Sequence, residues 1–206
     1  MIAIIDYGMG NLRSVEKALE LLGYPVEVTS DPMRVSQAKG VILPGVGAFA
    51  DAMKNLTEKK LVPVIKETVA AKKPFLGICL GLQLMFTESE ENGIYEGLDI
   101  FRGRVKRIPA GAKVPHMGWN QITIQKESTI LTNIPSGSNF YFVHSYYVDP
   151  EDKEIITTTT EYNNIFTSIC SEGNTFGIQF HPEKSSRLGL EILKNFGQLV
   201  MEVEQV

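Results

Sequence analysis

Residues 74–83 read Pro-Phe-Leu-Gly-Ile-Cys-Leu-Gly-Leu-Gln, a strand-like apolar run that changes into a helix-like run at Cys79. Gly77 and Gly81 stand two residues to either side of this cysteine. The spacing is the cysteine form of the Gly-x-nucleophile-x-Gly elbow, in which a tight turn between a strand and a helix exposes a nucleophile. The stretch therefore predicts a strand–turn–helix unit with Cys79 as a candidate nucleophile.

Strand and helix patterns alternate around this turn in the first half of the chain. Strands are predicted at 2–7, 26–29, 41–44 and 75–78. Helices are predicted at 12–22, 58–71 and 80–86, with a short helix that Asp31-Pro32 opens. Such alternation is typical of a parallel sheet covered by helices.

Strand patterns dominate after about residue 100, at 104–108, 121–125, 139–148, 154–160, 165–171 and 176–180, before a last helix from residue 185 or 186. We therefore expect a single α/β domain spanning 1–206. Its sheet is predicted to be open and mostly parallel, with helices on both faces and an added antiparallel β region in the second half.

The composition is that of an ordinary globular domain. The chain has 206 residues, of which 43% are hydrophobic and 21% are charged, so disorder, collagen-like repeats and a disulfide miniprotein are excluded. A formal net charge of −4 argues against a strongly nucleic-acid-binding surface. No apolar run approaches the roughly 18 to 20 residues of a membrane span, and we expect no signal peptide.

Two cysteines make no disulfide framework, so we expect a cytoplasmic protein. Cys170, inside a strand pattern, is interpreted as structural.

A base for Cys79 is predicted near the other end of the chain. His181 and Glu183 are two residues apart, so their side chains point to the same side of an extended segment. A carboxylate beside an imidazole fixes its tautomer and stabilises the imidazolium. His116 and His144 have no acidic residue two positions away. We therefore interpret Cys79, His181 and Glu183 as nucleophile, base and orienting acid.

A glycine-rich loop, Pro-Gly-Val-Gly at 44–47, follows the third predicted strand. It lies at a carboxyl edge, where open α/β sheets bind ligands. We expect its backbone N–H groups to complete an oxyanion hole with the N–H of Leu80. No Lys-Ser or Lys-Thr follows the glycines, which excludes a P-loop. Gly8-Met9-Gly10 lacks the third glycine of a dinucleotide fingerprint, because Arg13 stands there.

Together these motifs resemble the class I (triad) glutamine amidotransferases over essentially the whole chain. Within that family the chain is similar to the glutaminase subunit of imidazole glycerol phosphate synthase, in the segments 6–11, 44–49, 115–120, 141–146 and 181–185. The resemblance implies a flavodoxin-like sheet, glutamine as substrate, and neither a cofactor nor a metal. It also implies a heterodimer with the (β/α)8-barrel cyclase that receives the ammonia in histidine biosynthesis, and no nucleic-acid or membrane partner.

The resemblance assigns a role to each matching position. Cys79 attacks the side-chain amide of glutamine, His181 protonates the departing ammonia and then activates water, and Glu183 orients His181. The implied oxyanion positions are Val46, Gly47 and Leu80. The implied glutamine-binding positions are Gly45, Gln83, Glu91, Ser145 and Tyr146, with Glu90 as the alternative to Glu91. The positions implied at the partner interface and ammonia exit are Trp119, Tyr141 and Lys184, with core packing as the alternative for Trp119 and Tyr141.

The amidotransferase motifs fill the chain, so the acceptor chemistry is expected on another subunit. An ammonia source without its acceptor wastes glutamine. We therefore expect low glutaminase activity from the isolated chain, and higher activity when the cyclase and its ligand reorient the peptide near Val46.

Other interpretations stay open. The glutaminase subunit of pyridoxal phosphate synthase has a similar length and triad, although the segments 6–11 and 115–120 argue against it. A cysteine hydrolase or peptidase on the same scaffold is the alternative from another class. Arg102, Arg104 and Lys106 lie on one strand face, which is either a solvated face or a docking surface.

Overall fold

Five parallel strands form one half of the main sheet in the computed structural model, which describes residues 1–202. They are β1 (Ile2–Ile5), β2 (Val26–Thr29), β3 (Gly40–Gly45), β4 (Phe75–Cys79) and β14 (Thr175–Ile178). Their order in the sheet is β2-β1-β3-β4-β14. This is the flavodoxin-like order, in which the first strand lies between the second and the third.

Helices cover both faces of these strands. They are α1 (Leu12–Leu21), α2 (Pro32–Gln37), α3 (Phe49–Glu58), α4 (Leu61–Ala70), α5 (Leu80–Leu84) and α6 (Ser186–Glu202). Consecutive strand residues point to opposite faces, so Ile2 and Ile4 pack in the cluster that contains α1 and α6. Ala3 and Ile5 pack in the cluster that contains α2, α3 and α4. The two clusters confirm a buried sheet with helices on both sides.

Strands between residues 86 and 172 extend the sheet beyond β14, mostly by antiparallel pairing. These strands are β5 (Phe86–Ser89), β6 (Tyr95–Glu96), β7 (Phe101–Arg107), β9 (Thr123–Ile124), β11 (Tyr146–Pro150), β12 (Ile156–Tyr162) and β13 (Asn164–Glu172). A separate antiparallel pair is formed by β8 (His116–Gln121) and β10 (Asn139–His144). The added antiparallel region is thus confirmed, and the fold class with it.

Several predicted boundaries are wrong. The helix predicted at 58–71 is α4 at Leu61–Ala70, and it starts later than predicted because Lys60, just before it, takes a left-handed φ of 57°. The helix predicted at 80–86 ends at Leu84, and Phe86 already belongs to β5. The strand predicted at 139–148 is divided at Ser145, where the chain passes from the β8–β10 pair into the main sheet. That division brings Ser145 to the candidate site.

Among residues 1–202, no helix combines the length and the apolar character that crossing a membrane requires.

Candidate active site

Cys79 ends β4 in a strained backbone conformation, with φ 56° and ψ −109°. Non-glycine residues rarely adopt a positive φ, and such strain is concentrated at functional sites. The turn also requires a glycine at position 81, because a Cβ there would lie 1.8 Å from the backbone oxygen of Leu43. The predicted strand–turn–helix is therefore present, and it holds Cys79 in a fixed position against β3.

The carboxyl ends of three neighbouring strands bring the predicted groups together. Gly45 at the end of β3 pairs with Cys79 at the end of β4. Ile178 at the end of β14 pairs with Ile78 on the other side of β4. The chain continues from β14 to His181 and then to the 3-10 helix Pro182–Lys184. The site thus lies at the edge where open α/β sheets bind ligands.

His181 and Glu183 form a buried pair. His181 Nδ1 lies 2.9 Å from Glu183 Oε1, and the two side chains are 2% and 1% exposed. Burial lowers the pKa of His181, but hydrogen bonding and charge at Cys79 and Glu183 outweigh it and raise the pKa to about 10. His181 Nε2 has no hydrogen-bond partner with proper geometry within the described residues. Because catalytic hydrogen bonds are often poorly aligned without a substrate, Nε2 is available for the sulfur and the leaving group.

A cavity of about 290 Å³ opens above Cys79. This volume lies near the lower limit of small-molecule sites and suits a single amino acid. Its lining contains the predicted positions Val46, Gly47, Leu80, Gln83, Glu91, Ser145 and Tyr146, together with Cys79, Pro115, Val143 and His144. Gly45 is buried beside Tyr7 and is not part of the lining. Glu90 is exposed and is also outside the lining.

Two of the lining side chains are already oriented by hydrogen bonds. Glu91 Oε2 accepts a hydrogen bond of 2.7 Å from the backbone N–H of Phe49, the first residue of α3. Gln83 Nε2 donates to the backbone oxygen of Tyr146 at 3.0 Å and to Oε1 of Gln179 at 3.3 Å. Both amide protons of Gln83 are thereby used, so its Oε1 is the atom that a ligand can meet.

An exposed aromatic face adjoins the site. Trp119 on β8 pairs with Tyr141 on β10, with their ring centroids 6.1 Å apart. Trp119 is 53% exposed, so core packing is wrong for this residue. The backbone oxygen of Tyr141 accepts a hydrogen bond of 2.9 Å from the N–H of His181. Lys184, also exposed, follows Glu183 directly. This face, formed by Trp119, Tyr141 and Lys184, therefore borders the buried pair.

The basic strand face is balanced by acidic neighbours. Arg104 lies 2.8 Å from Glu88, and Lys106 lies 2.7 Å from Asp149. These pairs favour the interpretation as a solvated face over that as a docking surface.

The second cysteine, Cys170, is fully buried in β13, and burial raises the pKa of its thiol. A buried neutral thiol is unreactive. Its environment therefore agrees with a structural role.

Sequence reasoning missed three polar side chains around Cys79. Gln179 donates through Nε2 to the sulfur at 3.8 Å. Gln179 lies two residues before His181, so the alternation that predicted Glu183 on the same side as His181 also predicts Gln179 there. Tyr7 is fully buried with no hydrogen-bond partner for its hydroxyl in residues 1–202, and burial, then the charge at Cys79, raise its pKa. His144 lines the cavity, and burial lowers its pKa to about 3, so it is neutral.

Comparisons with known proteins agree on one family. The family model "Glutamine amidotransferase class-I" matches residues 3–199. The chain is 62% identical to imidazole glycerol phosphate synthase subunit HisH of Moorella thermoacetica, covering 97% of this chain and 95% of the relative. It is 54% identical to the HisH subunit of Aquifex aeolicus, covering 94% of each.

Solved structures share the fold at low sequence identity. A glutamine amidotransferase crystal structure superposes with a TM-score of 0.77 at 15% identity, covering 98% of this chain and 100% of the other. The glutaminase domain of Trypanosoma brucei CTPS gives a TM-score of 0.66 at 15% identity, covering 98% of this chain and 93% of the other.

Proposed function

The chain belongs to the class-I glutamine amidotransferases, in the branch formed by the HisH subunits of imidazole glycerol phosphate synthase, and from this premise we propose that Cys79, His181 and Glu183 release ammonia from glutamine for histidine biosynthesis. One observation carries the assignment to these residues. The strained Cys79 faces a cavity of amino-acid size, and hydrogen bonding and then charge at Cys79 and the buried Glu183 raise the pKa of His181 to about 10 against the effect of burial. Nucleophile, base and orienting acid thus meet in one place.

The proposed reaction has two halves. In the first, the thiolate of Cys79 attacks the side-chain carbonyl carbon of glutamine, and the protonated His181 gives its proton to the nitrogen that leaves as ammonia. A thioester remains on Cys79. In the second, His181 takes a proton from water, whose oxygen attacks the thioester and displaces the sulfur as glutamate forms. Glu183 holds the ring and stabilises its charged form in both halves.

The oxyanion of each tetrahedral intermediate is proposed to lie between the N–H of Leu80 and the loop of Val46 and Gly47. All three residues line the cavity together with Cys79. Gly47 takes a φ of 103° and Val46 is 42% exposed, so this loop is the less enclosed side of the hole. Donors aimed at a developing charge in an enclosed site are worth about 3 kcal/mol each. Movement of this loop is therefore a direct means of raising the rate.

We assign the binding of glutamine to the rest of the lining. The carboxylate of Glu91 faces the cavity and is proposed to hold the α-ammonium group. The backbone at Ser145 and Tyr146 is proposed to meet the α-carboxylate. The free Oε1 of Gln83 accepts a hydrogen bond from a nitrogen of the substrate. Gly45, which is outside the lining, supports the loop rather than the ligand.

The relatives named above are subunits of a synthase, which supports a complex. The proposed partner is the (β/α)8-barrel cyclase, joined as a heterodimer through the face of Trp119, Tyr141 and Lys184. An exposed tryptophan beside a tyrosine is typical of interface centres. We propose that the chain works as a single domain, in the cytoplasm, where its two free cysteines stay reduced.

The experiment that tests the assignment combines labelling with turnover. A glutamine-analogue diazoketone is expected to label Cys79 and abolish ammonia release, and Cys79→Ala is expected to be inactive while folded. Cys170→Ala serves as the matched control with retained activity. Ammonia release by Cys79→Ala would contradict the mechanism. Peptide cleavage without glutamine turnover would favour the cysteine peptidase, and ammonia transfer to a pyridoxal phosphate synthase would favour that glutaminase.

A further inference from the structure

A chain of hydrogen bonds ends on the sulfur of Cys79. Gln179 Nε2 lies 3.8 Å from Cys79 Sγ, and Gln179 Oε1 accepts from Gln83 Nε2 at 3.3 Å. Gln179 is fully buried, so its amide cannot turn towards water. A neutral donor is thus enclosed beside the reacting atom, in addition to His181.

The orientation of the Gln179 amide is fixed from two bonds away. The backbone oxygen of Tyr146 can only accept, and it lies 3.0 Å from Gln83 Nε2. Gln83 must therefore present its NH2 group to Tyr146, and its second proton goes to Gln179 Oε1. Because Oε1 of Gln179 is the acceptor, its NH2 group faces the sulfur. A flipped Gln179 would place its NH2 group against that of Gln83.

The same carbonyl also accepts a hydrogen bond from the neutral His144, which is itself bonded to the neutral His116. His144 Nδ1 lies 2.8 Å from the oxygen of Tyr146, so it carries the proton, and its Nε2 accepts from His116 Nδ1 at 2.9 Å. His116 Nε2 in turn lies 3.2 Å from Asn120 Nδ2. Burial lowers the pKa of His116 to about 4 and that of His144 to about 3, so neither ring gains a second proton that would break the chain.

The neighbours of the Cys79 sulfur include an acceptor, which favours the thiol, and donors, which favour the thiolate. As a thiol, Cys79 donates to the backbone oxygen of Val143 at 3.8 Å, which favours the protonated form. A thiolate loses that bond and needs donors. The charge at Cys79 contributes to raising the pKa of His181 and of Tyr7, the two titratable groups on which it acts most clearly. His181 must give its proton to the leaving nitrogen during the reaction, whereas Gln179 keeps its N–H on the sulfur throughout.

We propose that Gln179 is a further functional residue of this site, whose N–H stabilises the thiolate of Cys79 as nucleophile and again as leaving group, with Gln83 and the Tyr146 carbonyl fixing its direction. The inference rests on the proposed function. It gives Gln83 two tasks, since its Oε1 meets the substrate while its NH2 group orients Gln179.

The test is the rate at which iodoacetamide alkylates Cys79, followed by mass spectrometry of the Cys79 peptide across the pH range in which thiols titrate. Gln179→Glu keeps the acceptor for Gln83 and replaces the donor by a carboxylate. Gln179→Met removes both groups at similar length and without charge. Gln37→Glu, at an exposed position in α2, is the matched control for the added charge.

In Gln179→Glu we expect alkylation at neutral pH to slow by about tenfold or more, with the profile displaced towards higher pH by about one pH unit. Gln179→Met is expected to slow alkylation by about threefold to tenfold. In both variants kcat for glutamine falls while KM changes little, because Gln179 does not line the cavity.

Folded variants that are alkylated like the wild type and Gln37→Glu would overturn the proposal. If Gln179→Glu does not fold, the alkylation rate of Gln179→Met alone tests the proposal. Glutamine turnover by the wild type is measured in parallel, so a failure of the proposed function stays distinguishable from a failure of this inference.

Discussion

Replacing Glu183 by glutamine removes one negative charge from the buried partner of His181 and leaves the side-chain shape almost unchanged. Glu183 Oε1 lies 2.9 Å from His181 Nδ1. The other oxygen, Oε2, is buried with no hydrogen-bond partner in the described part of the chain. The carboxylate therefore acts mainly on His181, and Glu183→Gln tests that action directly.

The size of the effect follows from the pKa of His181. Burial lowers this pKa, yet Cys79 and Glu183 raise it from 6.5 to about 10. At about 1.4 kcal/mol for each pH unit, the net rise favours the protonated ring by roughly 5 kcal/mol. The hydrogen bond to Glu183 is one cause of that rise, and a hydrogen bond to a charged group is worth about 1.5 to 3 kcal/mol, so the loss of the carboxylate lowers kcat by roughly 10- to 150-fold. An amide that turns its NH2 group towards Nδ1 also selects the wrong tautomer, which in serine-protease triads lowers kcat by about 10⁴-fold.

Ammonia release at saturating glutamine measures the effect, and Glu172→Gln, at an exposed position, is the control. Urea unfolding adds a second readout. The folded pKa of His181 is raised, so its contribution to stability is complete below pH 6.5 and is lost as the pH rises towards about 10. In Glu183→Gln this loss moves to lower pH. A folded variant with kcat within about threefold of the wild type, a difference under 1 kcal/mol, would show that the Glu183 carboxylate does not assist His181.

Three further substitutions have defined outcomes. Gly81→Ala places a Cβ 1.8 Å from the oxygen of Leu43, so urea unfolding should show a loss of about 3 kcal/mol; unchanged stability would contradict the close approach. Tyr7→Phe removes a buried hydroxyl with no partner within residues 1–202, so the free energy of unfolding should rise by about 1 kcal/mol, and a clear fall would reveal an unrecognised hydrogen bond. Glu91→Gln should raise KM for glutamine by about tenfold to a hundredfold, with helix content by circular dichroism unchanged; an unchanged KM would remove Glu91 from the binding site.

The parallel half of the fold could be predicted because its signals are local. β2 (Val26–Thr29) agrees with the predicted strand, and Asp31 accepts a hydrogen bond from the N–H of Met33 as the N-cap of α2. The helix α3 was missed because the glycines at 45 and 47 suggested a longer loop. Its N-terminus is stabilised by Glu91, which is distant in the sequence, so the local pattern does not contain that signal.

The candidate site likewise combines features that could be predicted from the local sequence with features that could not. The triad positions follow from a turn motif and from period-two alternation, both of which are local. The orientation of Gln179 depends on the carbonyl of Tyr146, to which it is linked only through Gln83. The neutral state of His144 depends on burial. Such long-range contacts exist only in the folded chain, so a single sequence could not predict them.

The claim that this chain makes ammonia from glutamine for a partner subunit is tested with amide-¹⁵N glutamine and the purified chain. The reaction also contains the proposed (β/α)8-barrel cyclase with its ligand. We predict slow ammonia release by the isolated chain, faster release with the liganded cyclase, and ¹⁵N in the imidazole product even with unlabelled ammonia in solution. Equal rates with and without the cyclase, or a product without ¹⁵N, would contradict the claim.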